Sequence, residues 1–162
     1  METALTPLDF ARRTRRLHPD REAVVDGTKR FSYRQFFERC DRFSSALLKL
    51  GIVHGDRVAY LAPNTHQHLE GYYAVPQIGA VIVPLNYRLT ADDFVYLINH
   101  SGARAVCVDR EYLDAIDSVR DQLPGVVAFV ALEQAREGWL DYEALLADSS
   151  STFERPPIAE SD

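Results

Sequence analysis

The 162-residue chain has 18 Lys and Arg against 24 Asp and Glu, a formal net charge of -6, with 46% hydrophobic residues and 8 each of glycine and proline. This is the make-up of one globular domain or part of a larger one, and the acidic balance gives no electrostatic reason to bind nucleic acid or an anionic membrane. The longest apolar runs, such as 80–85 and 126–132, fall far short of the roughly 20 residues of a membrane-spanning helix.

Residues 1–17 mix Asp9 with Arg12, Arg13, Arg15 and Arg16 and do not read as a secretory leader, so a cytoplasmic location is the expectation. Pro7 suits a first helical turn, and Phe10, Thr14 and Leu17 share one side, which predicts a helix over 8–17 ended by Pro19. Residues 23–25 and 29–31 flank Asp26-Gly27, a dipeptide that accepts positive φ, and predict a short β-hairpin. The clearest element is a helix over 33–50. Phe36, Cys40, Phe43, Leu47 and Leu50 recur at spacings of four and three and form one apolar stripe. Ser32 with Gln35 matches a capping box, and Gly51 can take the left-handed conformation that closes the helix.

From Arg57 onward strand and helix signals alternate. Short apolar strands are predicted at 58–62, 81–84, 105–108 and 126–131, the pattern of a parallel sheet covered on both faces. Helices predicted between them, over 66–78, 91–101 and 112–123, read as crossovers of βαβ units. Pro76 should kink or shorten the first, because its ring removes a donor and crowds the preceding turn. A weaker helix is expected over 141–146, after which Ser149, Ser150, Ser151, Pro156 and Pro157 turn the composition to linker. The expected fold is α/β: a doubly wound, mostly parallel sheet with flanking helices, preceded by a helix, a β-hairpin and a long helix. Residues 1–147 form the domain portion and 148–162 a flexible linker or truncated end.

Chemistry is harder to find. Doubly wound folds hold nucleotides through a glycine-rich turn after the first strand, but 58–62 runs into Pro63-Asn64-Thr65 with no glycine before Gly71, and neither GxGxxG nor GxxxxGK[ST] occurs. The two lysines, Lys29 and Lys49, fall at the hairpin turn and in a last helical turn, where a cation complements the helix dipole. Arg12, Arg13, Arg15, Arg16 and Arg21 could receive a phosphate such as that of coenzyme A, although a solvated helix face accounts for them. His66 and His68 are two apart and point to different sides, whereas a helical metal pair is spaced by three or four. Asp92 and Asp93 follow Thr90 as helix N-terminal charges, and His100 and Ser101 lack a third partner for a hydrolase triad. Cys40 and Cys107 lie among apolar neighbours without CxxC spacing and are expected to be buried free thiols. No catalytic, cofactor-binding or metal-binding residue is nominated.

Three stretches carry a family likeness. Phe31-Ser32-Tyr33-Arg34-Gln35-Phe36 looks like the first core motif of the adenylate-forming enzymes, and Ala74-Val75-Pro76-Gln77-Ile78-Gly79-Ala80-Val81-Ile82-Val83-Pro84-Leu85-Asn86, continued by Tyr87-Arg88-Leu89-Thr90, resembles the second. Gly51-Ile52, Gly55-Asp56-Arg57-Val58 and Pro63-Asn64 are similar to the family's segment between these two. Over residues 8–146 the chain resembles the N-terminal portion of an AMP-binding, acyl-CoA synthetase type enzyme.

The resemblance implies that the full-length protein joins a carboxylic acid, a fatty or other acyl chain, to ATP with Mg, then passes the acyl group to coenzyme A. It also implies that the phosphate loop, adenine and ribose contacts, hinge and catalytic lysine follow Asp162, so no catalytic residue carries over and the fragment by itself binds none of these cofactors. Two expectations follow: a partial ligase inactive alone, or a non-catalytic module that pairs with a second chain, or with itself, through an exposed sheet edge. An unrelated small α/β nucleotide-binding protein is a third reading, set back by the missing glycine loop.

Overall fold

The computed structural model describes residues 6–158. Helix α1 (Pro7–Leu17) is capped by Thr6, whose hydroxyl donates to the Asp9 carboxylate at 2.9 Å. Strands β1 (Glu22–Asp26) and β2 (Lys29–Ser32) pair antiparallel around Gly27, which takes φ 56°. Helix α2 (Tyr33–Lys49) starts with the expected capping box: Ser32 N donates to Gln35 Oε1 at 2.9 Å and Gln35 N to Ser32 Oγ at 3.3 Å. The predicted stripe is the buried face, with Phe36, Cys40, Phe43 and Leu47 all at most 3% exposed.

The sheet is parallel throughout and five-stranded: β3 (Arg57–Leu61), β4 (Val81–Pro84), β5 (Ala103–Val108), β6 (Ala128–Ala131) and β7 (Leu140–Asp141), in the order β4-β3-β5-β6-β7. Alternation along the strands divides the core in two. Val58, Tyr60, Ala105, Cys107 and Val130 join α2, α3 (His66–Ala74) and α6 (Tyr142–Ala147) on one face. Ala59, Leu61, Val106, Val108 and Phe129 join α4 (Ala91–Ser101) and α5 (Leu113–Asp117) on the other. Burial on both faces is why these strands read as continuous apolar runs.

Several boundaries differ from the sequence expectation. Helix α3 stops at Ala74, and Pro76–Ile78 form a separate 3-10 turn that Gly79, at φ 74°, leads out of; the proline ends the regular ladder as its missing N–H requires. The helix expected over 112–123 is broken into a 3-10 turn (Arg110–Tyr112), the five-residue α5 and a second 3-10 turn (Arg120–Gln122). At the break the Ser118 hydroxyl bonds back to Ala115 O at 2.8 Å, and Asp117 is drawn away by the Trp139 indole N–H at 2.8 Å and by Arg136 at 2.7 Å. Side-chain competition for local backbone groups and tertiary partners overrides the helical pattern there. Strand β7 went unread because two residues carry no period.

Helix α6 matches the expected 141–146 helix, with Asp141 as its N-cap accepting from Ala144 N at 2.7 Å. Beyond it residues 152–158 carry no regular secondary structure. Phe153 packs against the α2 side of the core, and the Arg155 guanidinium donates to Asp41 at 2.7 Å.

Gly71 in the middle of α3 gives a test of this packing. A Cβ there would lie 2.5 Å from Cζ and 2.6 Å from the hydroxyl of Tyr60, a fully buried ring. Alanine favours a helix interior over glycine by about 1 kcal/mol, but overpacking costs typically ~1–3 kcal/mol. Gly71→Ala is therefore expected to destabilise the chain in urea unfolding, and Tyr60→Leu in the same molecule to recover part of the loss; a stabilising Gly71→Ala would contradict the packing.

Candidate functional site

Doubly wound sheets hold ligands outside the carboxyl ends of their strands, where adjacent strands send their connections to opposite faces. That point lies between β3 and β5. The chain leaves β3 through Ala62-Pro63-Asn64-Thr65 into α3 on one face, and leaves β5 through Asp109 into α5 on the other. The ladder continues past both strands, with Asp109 N donating to Leu61 O at 2.9 Å and Leu85 N to Tyr60 O at 2.8 Å, so the β3, β4 and β5 ends are fixed relative to one another.

The loops after β4 and β5 meet at this edge. Asn86 turns its loop with Oδ1 accepting from Arg88 N at 3.1 Å, the Tyr87 and Tyr112 rings lie 5.8 Å apart, and the Arg88 guanidinium stands 5.7 Å from the Tyr87 ring. Buried Asp109 accepts from Glu111 N at 3.0 Å. Burial, then the Glu111, Tyr87 and Asp109 charges, raise the Tyr112 phenol above its ordinary value, with Arg88 opposing. The edge thus carries the Arg88 guanidinium, the Tyr87 and Tyr112 rings and the exposed Asn86 amide. In the sequence Asn64, Asn86, Tyr87 and Arg88 stand within the family-like segments and Asp109 and Tyr112 in none; the signal for Asn86 and Asp109 is a polar residue directly after a strand's last apolar one.

The residues weighed from sequence go elsewhere. His66 is buried beneath the hairpin: its N–H donates to Asp26 Oδ2 at 3.0 Å and its Nδ1 lies 2.6 Å from the same oxygen. His68 stacks between Tyr60 and Tyr72, with ring centroids 5.2 Å from each, and its Nδ1 lies 3.2 Å from Pro63 O. Burial depresses its pKa, which favours the neutral ring. Lys49 bonds Asp148 O at 2.7 Å, His100 stacks on Tyr96, Ser101 bonds back to Ile98 O at 3.0 Å, and Asp93 completes a capping box with Thr90. Among the arginines Arg15 departs from a solvated face and reaches buried Asp41 at 2.6 Å. Cys40 and Cys107 are buried and free, and burial pushes the Cys107 thiol up to about 12. Among the described residues no group of three His, Cys, Asp or Glu is arranged to hold a metal ion. No helix among them is long and apolar enough to cross a membrane.

The Asp26 and His66 pair carries a pH prediction. Hydrogen bonds from the His66 backbone and ring hold the Asp26 carboxyl below its ordinary value. A depressed carboxyl contributes stability that is full above the unfolded value, about 4, and is lost as pH falls through the folded one. Asp26→Asn should therefore be less stable than the parent in urea at neutral pH, with the gap closing as pH falls through the lowered Asp26 value. A gap that is constant with pH would contradict the pairing.

The comparisons with known proteins agree with this architecture. A family model described as AMP-binding enzyme matches residues 10–162. An acetate–CoA ligase of Humulus lupulus is 34% identical over 96% of this chain and 31% of its own length. A long-chain-fatty-acid–CoA ligase of Thermus thermophilus is 34% identical over 98% of this chain and 30% of its own. The solved anthranilate CoA ligase AuaEII with anthranoyl-AMP superposes at TM-score 0.92 over 98% of this chain and 31% of that one, and at 22% identity it speaks for the fold alone. The chain spans about a third of the length of these curated relatives. With the family model covering nearly all of it, and the doubly wound fold shared, the chain belongs to the AMP-binding enzyme family.

Proposed function

We propose that the chain supplies the opening scaffold of an ATP-dependent acyl–CoA ligase, which joins a carboxylic acid to ATP, releasing pyrophosphate, and transfers the acyl group of the resulting adenylate to coenzyme A. A fatty or other acyl acid is the substrate class that its relatives' names favour. The single observation behind the reading is the family match over residues 10–162. On this reading the described part orients rather than reacts. The second core motif becomes edge strand β4 and the loop that carries Asn86, Tyr87 and Arg88 to the carboxyl edge, and the chain alone performs neither half-reaction.

A specific observation supports a companion reading in which the chain completes its sheet with another segment. Among the described residues strand β4 is an outer strand, paired only with β3, and its Val81, Ile82 and Val83 are β-branched with Val81 49% exposed. Such an edge invites a further strand. The experiment is to express the chain alone, and joined in frame to the remaining two-thirds of an acyl–CoA ligase, and to assay acyl–CoA formation. Activity only in the joined form supports the proposal; activity of the joined form that survives deletion of 81–84 would overturn the scaffold role.

A further inference from the structure

We propose that a cavity between α1, α2, α3 and the 152–158 strap binds a small aliphatic monocarboxylate, at a site separate from the carboxyl edge of the sheet. The cavity encloses about 280 Å³ and is walled by Leu8, Phe37, Tyr73 and Ile158, with Arg12, Arg15 and Arg155 on the same lining. Its lining includes Tyr73 and Gln77, at the opposite end of α3 from Asn64, so it shares no residue with the carboxyl edge and does not rest on the ligase reading.

Charge argues for an anion. Arg15 Nη1 and Arg155 Nη2 each take one oxygen of Asp41, at 2.6 and 2.7 Å, and Arg12 Nη1 takes Asp9 at 2.8 Å. Among the described residues three guanidiniums thus meet two carboxylates. Each uses one nitrogen on an acid, and among the described residues the remaining nitrogens of all three have no protein acceptor. The Asp41 side chain is only 4% exposed, so both its arginines are anchored and the surplus positive charge is fixed in place at the cavity. Arginine forks match the planar, bidentate geometry of a carboxylate. The apolar walls would exclude water from a short alkyl tail, and the volume sits at the small end of ligand sites, which argues for a compact molecule. A bare inorganic anion would leave those walls uncovered.

The test is an NMR titration of isotope-labelled 162-residue chain with sodium hexanoate, run beside hexanamide and inorganic phosphate. Saturable shifts at Arg15, Arg155 and Tyr73 are expected with hexanoate, and much weaker ones with the amide or phosphate. Arg155→Met and the cavity-filling Leu8→Trp should each weaken binding by about tenfold or more. Exposed Arg12→Gln, where folding is not at stake, should weaken it a few-fold, and Arg136→Met, which pairs with α5 across the sheet from α2, should leave it unchanged. Equal shifts with hexanamide, tighter binding of phosphate, or hexanoate binding unaltered in both Leu8→Trp and Arg12→Gln would overturn the site.

Discussion

Glu70→Ala is expected to destabilise the chain by roughly 3–5 kcal/mol, the range for removing one partner of a buried ion pair. Glu70 on α3 is fully buried. Its Oε1 accepts from Arg39 Nε at 2.6 Å, and its Oε2 accepts from Arg39 Nη2 at 3.3 Å and from the Tyr142 hydroxyl at 2.6 Å. One carboxylate therefore ties α2, α3 and α6 together. Arg39 also forks onto Glu143, at 2.9 and 2.6 Å. These hydrogen bonds hold the Arg39 pKa above its ordinary value against the opposing effect of burial, and they depress that of Glu143.

The Arg39 side chain is 18% exposed, so losing Glu70 leaves it and the Tyr142 hydroxyl without their buried partner, whereas Glu143 is 53% exposed. Glu143→Ala should accordingly cost no more than about 1 kcal/mol. Because two apolar groups can replace a buried pair at little cost, the double variant Arg39→Met, Glu70→Met should lose less than Glu70→Ala. Urea unfolding of the four proteins checks the order, and a Glu70→Ala no worse than Glu143→Ala would refute it.

Phe43→Ala is the second large effect, at roughly 3–5 kcal/mol for an aromatic truncated in a core. Phe43 is wholly buried on the sheet-facing stripe of α2, and its ring lies 4.7 Å from that of Tyr142. The cavity would open between the earliest long helix and the last one, whose contact bridges distant parts of the chain. Leu50→Ala, on the same stripe but half-buried at the helix end, should cost clearly less. Thermal unfolding of both variants measures the difference, and equal losses would contradict the burial gradient.

The fold was legible where one residue pattern carried one constraint. The stripe Phe36, Cys40, Phe43, Leu47 fixes both the helix and its buried face, and apolar runs such as Val58 to Leu61 announce strands covered on two sides. It was illegible where distant partners decide. Nothing near Glu70 in sequence shows that Arg39 and Tyr142 await its carboxylate, and a lone Glu in a helix reads as solvated. Asp41 likewise looked like one more helical charge until Arg15 and Arg155 closed on it. The break after Asp117 came from Trp139 and Arg136, about twenty residues away in the chain. The carboxyl edge was half visible: Asn86, Tyr87 and Arg88 stand in a recognisable motif, but the meeting of Tyr87 with Tyr112 depends on strand order, which periodicity does not encode.

The central claim is that these residues build the frame of an adenylate-forming ligase and do not perform its chemistry unaided. ATP–pyrophosphate exchange by the 162-residue chain, assayed with acetate, butanoate, hexanoate and longer fatty acids, tests it most directly. The account predicts no exchange above background with any of them; robust, carboxylate-dependent exchange by the isolated chain would contradict it.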